Sequence, residues 1–214
     1  MQSYLEETDF LDFNHINFTN FLENHNDKEN TVEQAVSLYE YVRDYFLYDP
    51  YHLDLRKNAL TASNIVQKKR AWCVEKSIVL CACFRKYKIP ARLGFAVVTN
   101  HIGVEKLTSY LKRPEIVFHG FVEVFLNDNW VKCTPAFDKR ICHFNQVEVL
   151  HWDGKNDSLF QEFAKGQKYM TYDHFYGVFE DVPMELMNLE MQKYYPHLFE
   201  NTYDSKEFSF RHNL

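Results

Sequence analysis

The sequence predicts an α+β fold, and three observations carry that prediction. A strongly apolar stretch of helical length begins at Cys73 and runs to Phe84 with helical periodicity, which is the mark of a helix buried on most sides. Three strand-like segments follow it, Leu93–Val98, Phe118–Leu126 and Trp130–Thr134. Between the last two, Asn127-Asp128-Asn129 supplies turn chemistry, so they form an antiparallel hairpin. A buried helix followed by hairpin-linked strands places helix and sheet in separate layers.

Taken in order, residues 1–30 form an irregular acidic lead-in whose Phe10, Phe13, Phe18 and Phe21 pack on the main body. Thr31 with Gln34 reads as a capping box opening a helix over 31–48. Its apolar positions Val32, Ala35, Val36, Tyr39, Val42, Phe46 and Leu47 follow helical spacing, and Asp49-Pro50 ends it. Tyr51–Ala59 is a loop, and Thr61–Val66 a short helical turn. In the central helix Val74, Ile78, Cys81 and Ala82 share one stripe, with Val79, Leu80, Cys83, Phe84 and Tyr87 around it. Lys88-Ile89-Pro90-Ala91-Arg92 is a sharp exit into the first strand, and Ile102–Arg113 is a loop with a helical piece. Val147–Leu150 is a further candidate strand, Asp153-Gly154 a turn, and Met184–Tyr195 a closing helix. The aromatic group Phe175, Tyr176, Phe179, Tyr194 and Tyr195 reads as packing. With no repeats and no linker, residues 1–214 are expected to form one domain.

Composition narrows the function. A formal net charge of −6 and the lack of a long basic cluster argue against nucleic acid as a partner. The longest strongly apolar run, Ile78–Phe84, is too short to span a bilayer, so no membrane partner is expected. The N-terminus lacks the pattern of a signal peptide. Five cysteines, an odd number, fit a reducing cytoplasm better than a disulfide framework. Cys81 and Cys83, two apart on a helix, cannot share a metal, and Cys133, Cys142 and His143 lack zinc-ligand spacing. No metal and no cofactor are therefore expected.

Cys73 is the chemical focus. It falls in the first turn of the central helix, where unpaired amides and the positive end of the dipole favour a thiolate. The competing reading is an inert buried cysteine. His119 begins a strand on the face shared by Phe121, Glu123 and Phe125. A cysteine at a helix N-terminus and a histidine on a sheet supply a nucleophile with its general base and acid.

The segments Trp72-Cys73-Val74-Glu75-Lys76, Arg85 and Lys88-Ile89-Pro90-Ala91-Arg92-Leu93-Gly94 resemble the cysteine motif of the transglutaminase-like superfamily. In that motif the catalytic Cys begins a helix that ends in an "IPAR" turn. His119–Leu126 followed by Trp130 resembles the superfamily's histidine and tryptophan strands. The resemblance covers about residues 60–138. Val42-Arg43-Asp44, Tyr48-Asp49-Pro50, Thr134-Pro135-Ala136-Phe137 and Asp157-Ser158-Leu159 look like a bacterial subgroup. It implies a papain-like core, with Cys73 forming a thioester and His119 moving the proton. It also implies cysteine-dependent acyl transfer on an amide or peptide bond, with hydrolysis favoured over cross-linking.

One position departs from the pattern. The residue before the proline of the strand after His is usually Asp, and here it is Thr134, with Asp138 four residues on. Alignment favours Thr134 and charge favours Asp138 as the group that orients the imidazole. If Thr134 acts alone, the imidazolium is less stabilised and activity is weaker. The Cys73 amide, with the Trp72 indole as a second donor, is the candidate oxyanion site. The alternative function is a binding or scaffold module that keeps the fold without the chemistry.

Overall fold

The computed structural model describes residues 1–101, 105–159, 162–164, 167–168 and 170–199. Its centre is α4, Cys73–Lys86, buried at every position from Cys73 to Arg85. Burying each of its Val, Ile, Leu and Phe side chains contributes about 1.5–3 kcal/mol. The helix lies on an antiparallel sheet of β3 (Ala91–Asn100), β4 (Glu115–Leu126), β5 (Asn129–Cys133) and β8 (Met170–Phe179), in the order β5-β4-β3-β8. The chain is α+β, as the sequence predicts, with the cysteine helix packed on the antiparallel sheet.

On the other side of α4 lies α2, Thr31–Tyr45, which buries Ala35, Leu38, Tyr39 and Val42. Its cap differs from the expected one. Asn30, not Thr31, accepts the amides of Val32 and Glu33, because one Asn oxygen reaches both. The helix also stops earlier than expected. Leu47–Tyr48 forms β1, which pairs in parallel with β2, Arg70–Ala71. Thus the segment entering Cys73 is held extended by the segment leaving α2.

Smaller helices surround this core: α1 (Ile16–Leu22), α3 (Ala62–Ile65), α5 (Glu105–Leu111), α6 (Lys139–Phe144) and α7 (Met184–Tyr194), the last packed on β4. A further pair of short strands, β6 (Glu162–Ala164) and β7 (Gln167–Lys168), stands apart from the main sheet. Val147–Leu150, expected as a strand, is irregular, and the regular element beside it is α6. The expected loop-and-helix over Ile102–Arg113 is partly realised in α5, while Ile102–Val104 lie outside the described residues.

Two sequence features lock sheet to helix. At the exit of α4, buried Arg85 donates to the carbonyls of Ala91 (3.0 Å), Glu6 (2.9 Å) and Glu180 (2.6 Å). Arg92 then pairs with Glu123 across the β3–β4 register and lies over the Trp130 ring at 4.1 Å. The aromatic lead-in packs as expected, with Phe10, Phe13, Phe18 and Phe21 all buried.

A β-bulge sits next to His119. Ala96 faces His119 and Val98 faces Ile116, so β4 carries one extra residue there. Phe118 takes φ +59, a left-handed conformation that costs a bulky residue strain. Its ring is held by Phe95 at 5.0 Å and by Tyr176 at 4.8 Å. After the bulge the alternation is regular, so His119 shares its face with Phe121.

Candidate active site

Cys73 is the first residue of α4, with Trp72 in extended conformation as its cap. The Trp72 amide donates to Glu75 Oε2 at 3.2 Å, and Lys68 closes on the other oxygen of that carboxylate. This fixes the backbone on which the nucleophile stands. The backbone of the helix terminus, with that of Gly120 nearby, favours the thiolate. Burial nevertheless wins: with 1% exposure, the thiol is pushed up to about 11. The lowered thiol pKa that the position permits is therefore not realised in this closed state.

Gly120 explains how β4 approaches so closely. A Cβ there would lie 3.0 Å from Val74 Cα and 3.1 Å from the Cys73 carbonyl oxygen. Only glycine lets the strand rest on the first turn of α4 and carry His119 beside the cysteine.

The His119 ring is fully buried, and desolvation pulls its pKa down to about 3, so it is neutral. Nε2 lies 3.4 Å from Thr134 Oγ1, while the Thr134 hydroxyl faces the Gly120 carbonyl at 3.2 Å. With the hydroxyl proton given to that carbonyl, Thr134 offers lone pairs to the ring. This assigns the proton to Nε2 and the free lone pair to Nδ1. Nδ1 has no hydrogen-bond partner. It is the ring nitrogen left free to accept a proton.

Thr134 is itself well held. Its amide donates to the Ser158 carbonyl at 3.2 Å, and its own carbonyl accepts from the Tyr39 hydroxyl at 3.3 Å. Asp138 is occupied elsewhere. It caps α6 by accepting the Arg140 amide at 3.0 Å, pairs with the Arg140 guanidinium at 2.8 Å and accepts the Tyr48 amide at 2.7 Å. These partners, with Lys76 nearby, hold its carboxyl below the usual range. The expectation that Asp138 reaches the imidazole does not fit this placement, because its donors draw it toward β1 and α6. Of the two candidates, Thr134 is the one brought to His119.

Trp72 is buried with its indole N–H unpartnered. A buried donor without an acceptor is costly unless a ligand uses it. His119 and Thr134 are thus in contact, Gly120 brings β4 onto the first turn of α4 at Cys73, and Asp138 is held elsewhere.

Two groups near the site escaped the sequence reading. Lys76, one turn into α4, is fully buried and donates to the carbonyls of Arg43 (2.8 Å) and Ala136 (2.7 Å). Burial lowers its pKa to about 7, although Asp138 and Asp44 oppose the shift. A lysine inside an otherwise apolar run was the available signal. Tyr172, on β8, sets its ring edge-on to His119, with centroids 5.8 Å apart and planes at 83°.

These features define an α+β fold carrying a buried cysteine and histidine. The model of the transglutaminase-like superfamily core matches residues 20–135, and the chain belongs to that superfamily. Membership points, at superfamily level, to a cysteine-based enzyme. A search of curated proteins finds no match. Among solved structures, a protein from Cytophaga hutchinsonii provisionally described as a cysteine protease is similar at 14% identity, with a TM-score of 0.47. The similarity covers 62% of this chain and 40% of that one, so the chain spans less than half of the protein it resembles.

Proposed function

We propose that the protein performs cysteine-dependent acyl transfer on an amide bond, with peptidase- or amidase-like hydrolysis favoured over transfer to an amine. The observation that carries this reading is the buried His119, with Nδ1 unpartnered, on the strand that Gly120 lays against the first turn of α4 at Cys73. In the proposed reaction Nδ1 takes the thiol proton as sulfur attacks the carbonyl carbon. The oxyanion is received by the Cys73 amide and the Trp72 indole N–H. The imidazolium returns the proton to the leaving amine as the C–N bond breaks, which leaves a thioester on Cys73. Water, deprotonated by the same imidazole, then attacks the thioester and releases the acid and the free thiol.

Thiol and imidazole are both neutral at rest, so the proton moves during attack and not before it. Thr134 offers the imidazolium a dipole where a carboxylate would offer a charge, which fits a slow enzyme. That substitution, with the burial of Cys73, favours a second reading, in which the domain is a binding or scaffold module. Alkylation of each cysteine by iodoacetamide against pH, in wild type and His119→Ala, separates the two. The enzyme reading expects Cys73 to lose reactivity with the histidine, and an electrophilic amide or ester probe to label Cys73 only when His119 is present. If labelling of Cys73 is equal in both proteins, the scaffold reading stands.

A further inference from the structure

The catalytic reading leaves one buried hydroxyl in the site without a role. Tyr172 is carried by β8, at the edge of the sheet, where it pairs in register with Val98. The β3–β8 pairing shifts register between Val97 and Val98, which places the tyrosine over His119. Its ring meets the imidazole edge-on at 5.8 Å, meets Phe121 edge-on at 6.3 Å and stacks on Phe175 at 5.5 Å. Thr134 Oγ1 has two neighbours, the Gly120 carbonyl and His119 Nε2. One hydroxyl oxygen has one proton and two lone pairs, so it can serve both.

We infer that Tyr172 is a positioning residue for His119, acting with Thr134 in the place that a carboxylate takes in the usual triad. This rests on the acyl-transfer reading of Cys73 and His119. The edge-on aromatic ring limits the rotation of the imidazole and so keeps Nε2 toward Thr134. With the Thr134 proton on the Gly120 carbonyl, Nε2–H is then the favoured tautomer and Nδ1 stays open. A threonine alone orients a ring weakly, since its hydroxyl rotates freely; the packed aromatic ring removes that freedom from the imidazole.

The test uses full-length protein with imidazole-labelled histidine, and His119→Ala to assign the His119 nitrogen resonances. Wild type should show a protonated Nε2 and an unprotonated Nδ1 at neutral pH. Tyr172→Leu, which removes ring and hydroxyl, should give a mixture of tautomers and slow His119-dependent labelling of Cys73 by an electrophilic ester about thirtyfold. Tyr172→Phe, which keeps the ring, should leave both the tautomer and the labelling rate close to wild type. Urea midpoints confirm that both variants fold, and a change in packing alone would move the midpoint without moving the tautomer. The proposal is overturned if Tyr172→Leu keeps the wild-type tautomer. Labelling that is independent of His119 would instead defeat the acyl-transfer reading, and the tautomer measurement still decides the role of Tyr172.

Discussion

Thr134 and His119 raise the question of what a hydroxyl can do where a carboxylate is usual. A hydroxyl fixes the tautomer through lone-pair geometry, but it cannot lower the energy of a buried imidazolium as a charge does. The His119 pKa of about 3 follows from burial with no compensating partner. Thr134→Asp should therefore raise it, since a carboxylate beside Nε2 favours the charged ring, and should speed labelling of Cys73 by an electrophilic ester. Histidine titration by NMR checks the shift. A His119 that stays neutral across the whole range in this variant would show that position 134 does not control the ring. Asp138, attractive by charge, is a helix cap, and its signature was present in the sequence: an Asp two residues before the donor amide of Arg140. Charge alone was the wrong guide because Tyr48 and Arg140 occupy both carboxylate oxygens.

Between elements, the decisive contact is β4 against the first turn of α4. Gly120→Ala inserts a methyl 3.0 Å from Val74 Cα, against backbone that cannot rotate away. Such overpacking costs about 1–3 kcal/mol, and it also displaces the strand that carries His119. A urea midpoint lowered by that amount, with His119-dependent labelling reduced by a larger factor, is the expected outcome; unchanged labelling would separate the strand position from the chemistry. These elements were legible from residues. The apolar run of α4, the exit at Pro90 and the Asn127–Asn129 turn each carry strong local patterns, and the hairpin register places Cys133 opposite Val122. Strand β8 was not legible. Its register against β3 shifts twice, which breaks the period of two, and its edge position leaves Asp173, His174 and Phe175 exposed. Helix α6, at 6 residues, and the two-residue strands β1 and β2 are too short to show a period. Tyr172 stayed hidden with β8, so the sequence offered Thr134 but not the ring edge-on to His119.

At the scale of the whole molecule, burying the site makes folding stability respond to pH. His119 titrates near 6.5 when unfolded and at about 3 when folded. Between these values the unfolded chain binds a proton that the folded chain refuses, so stability is full above the unfolded value and falls as pH drops. Lys76, lowered from 10.5 to about 7, acts in the same direction at higher pH, while Glu75, raised from 4.5 to about 7, acts oppositely over its own window. The overall curve therefore mixes signs, and a difference between two proteins isolates the histidine. His119→Gln retains a donor toward Thr134 and removes the titration, leaving Lys76 and Glu75 in both proteins. Urea denaturation at pH 7.5 and pH 4.5 should show wild type losing about 2.7 kcal/mol more than the variant over that interval. If the two proteins lose equal stability, the His119 ring is solvated and protonated in the folded chain. The thiol would then also be open to water and the helix N-terminus would govern its pKa, so Cys73 would alkylate as an activated cysteine at neutral pH. The acid-stability difference and the alkylation profile thus report the same property, the closure of the site, by two independent measurements.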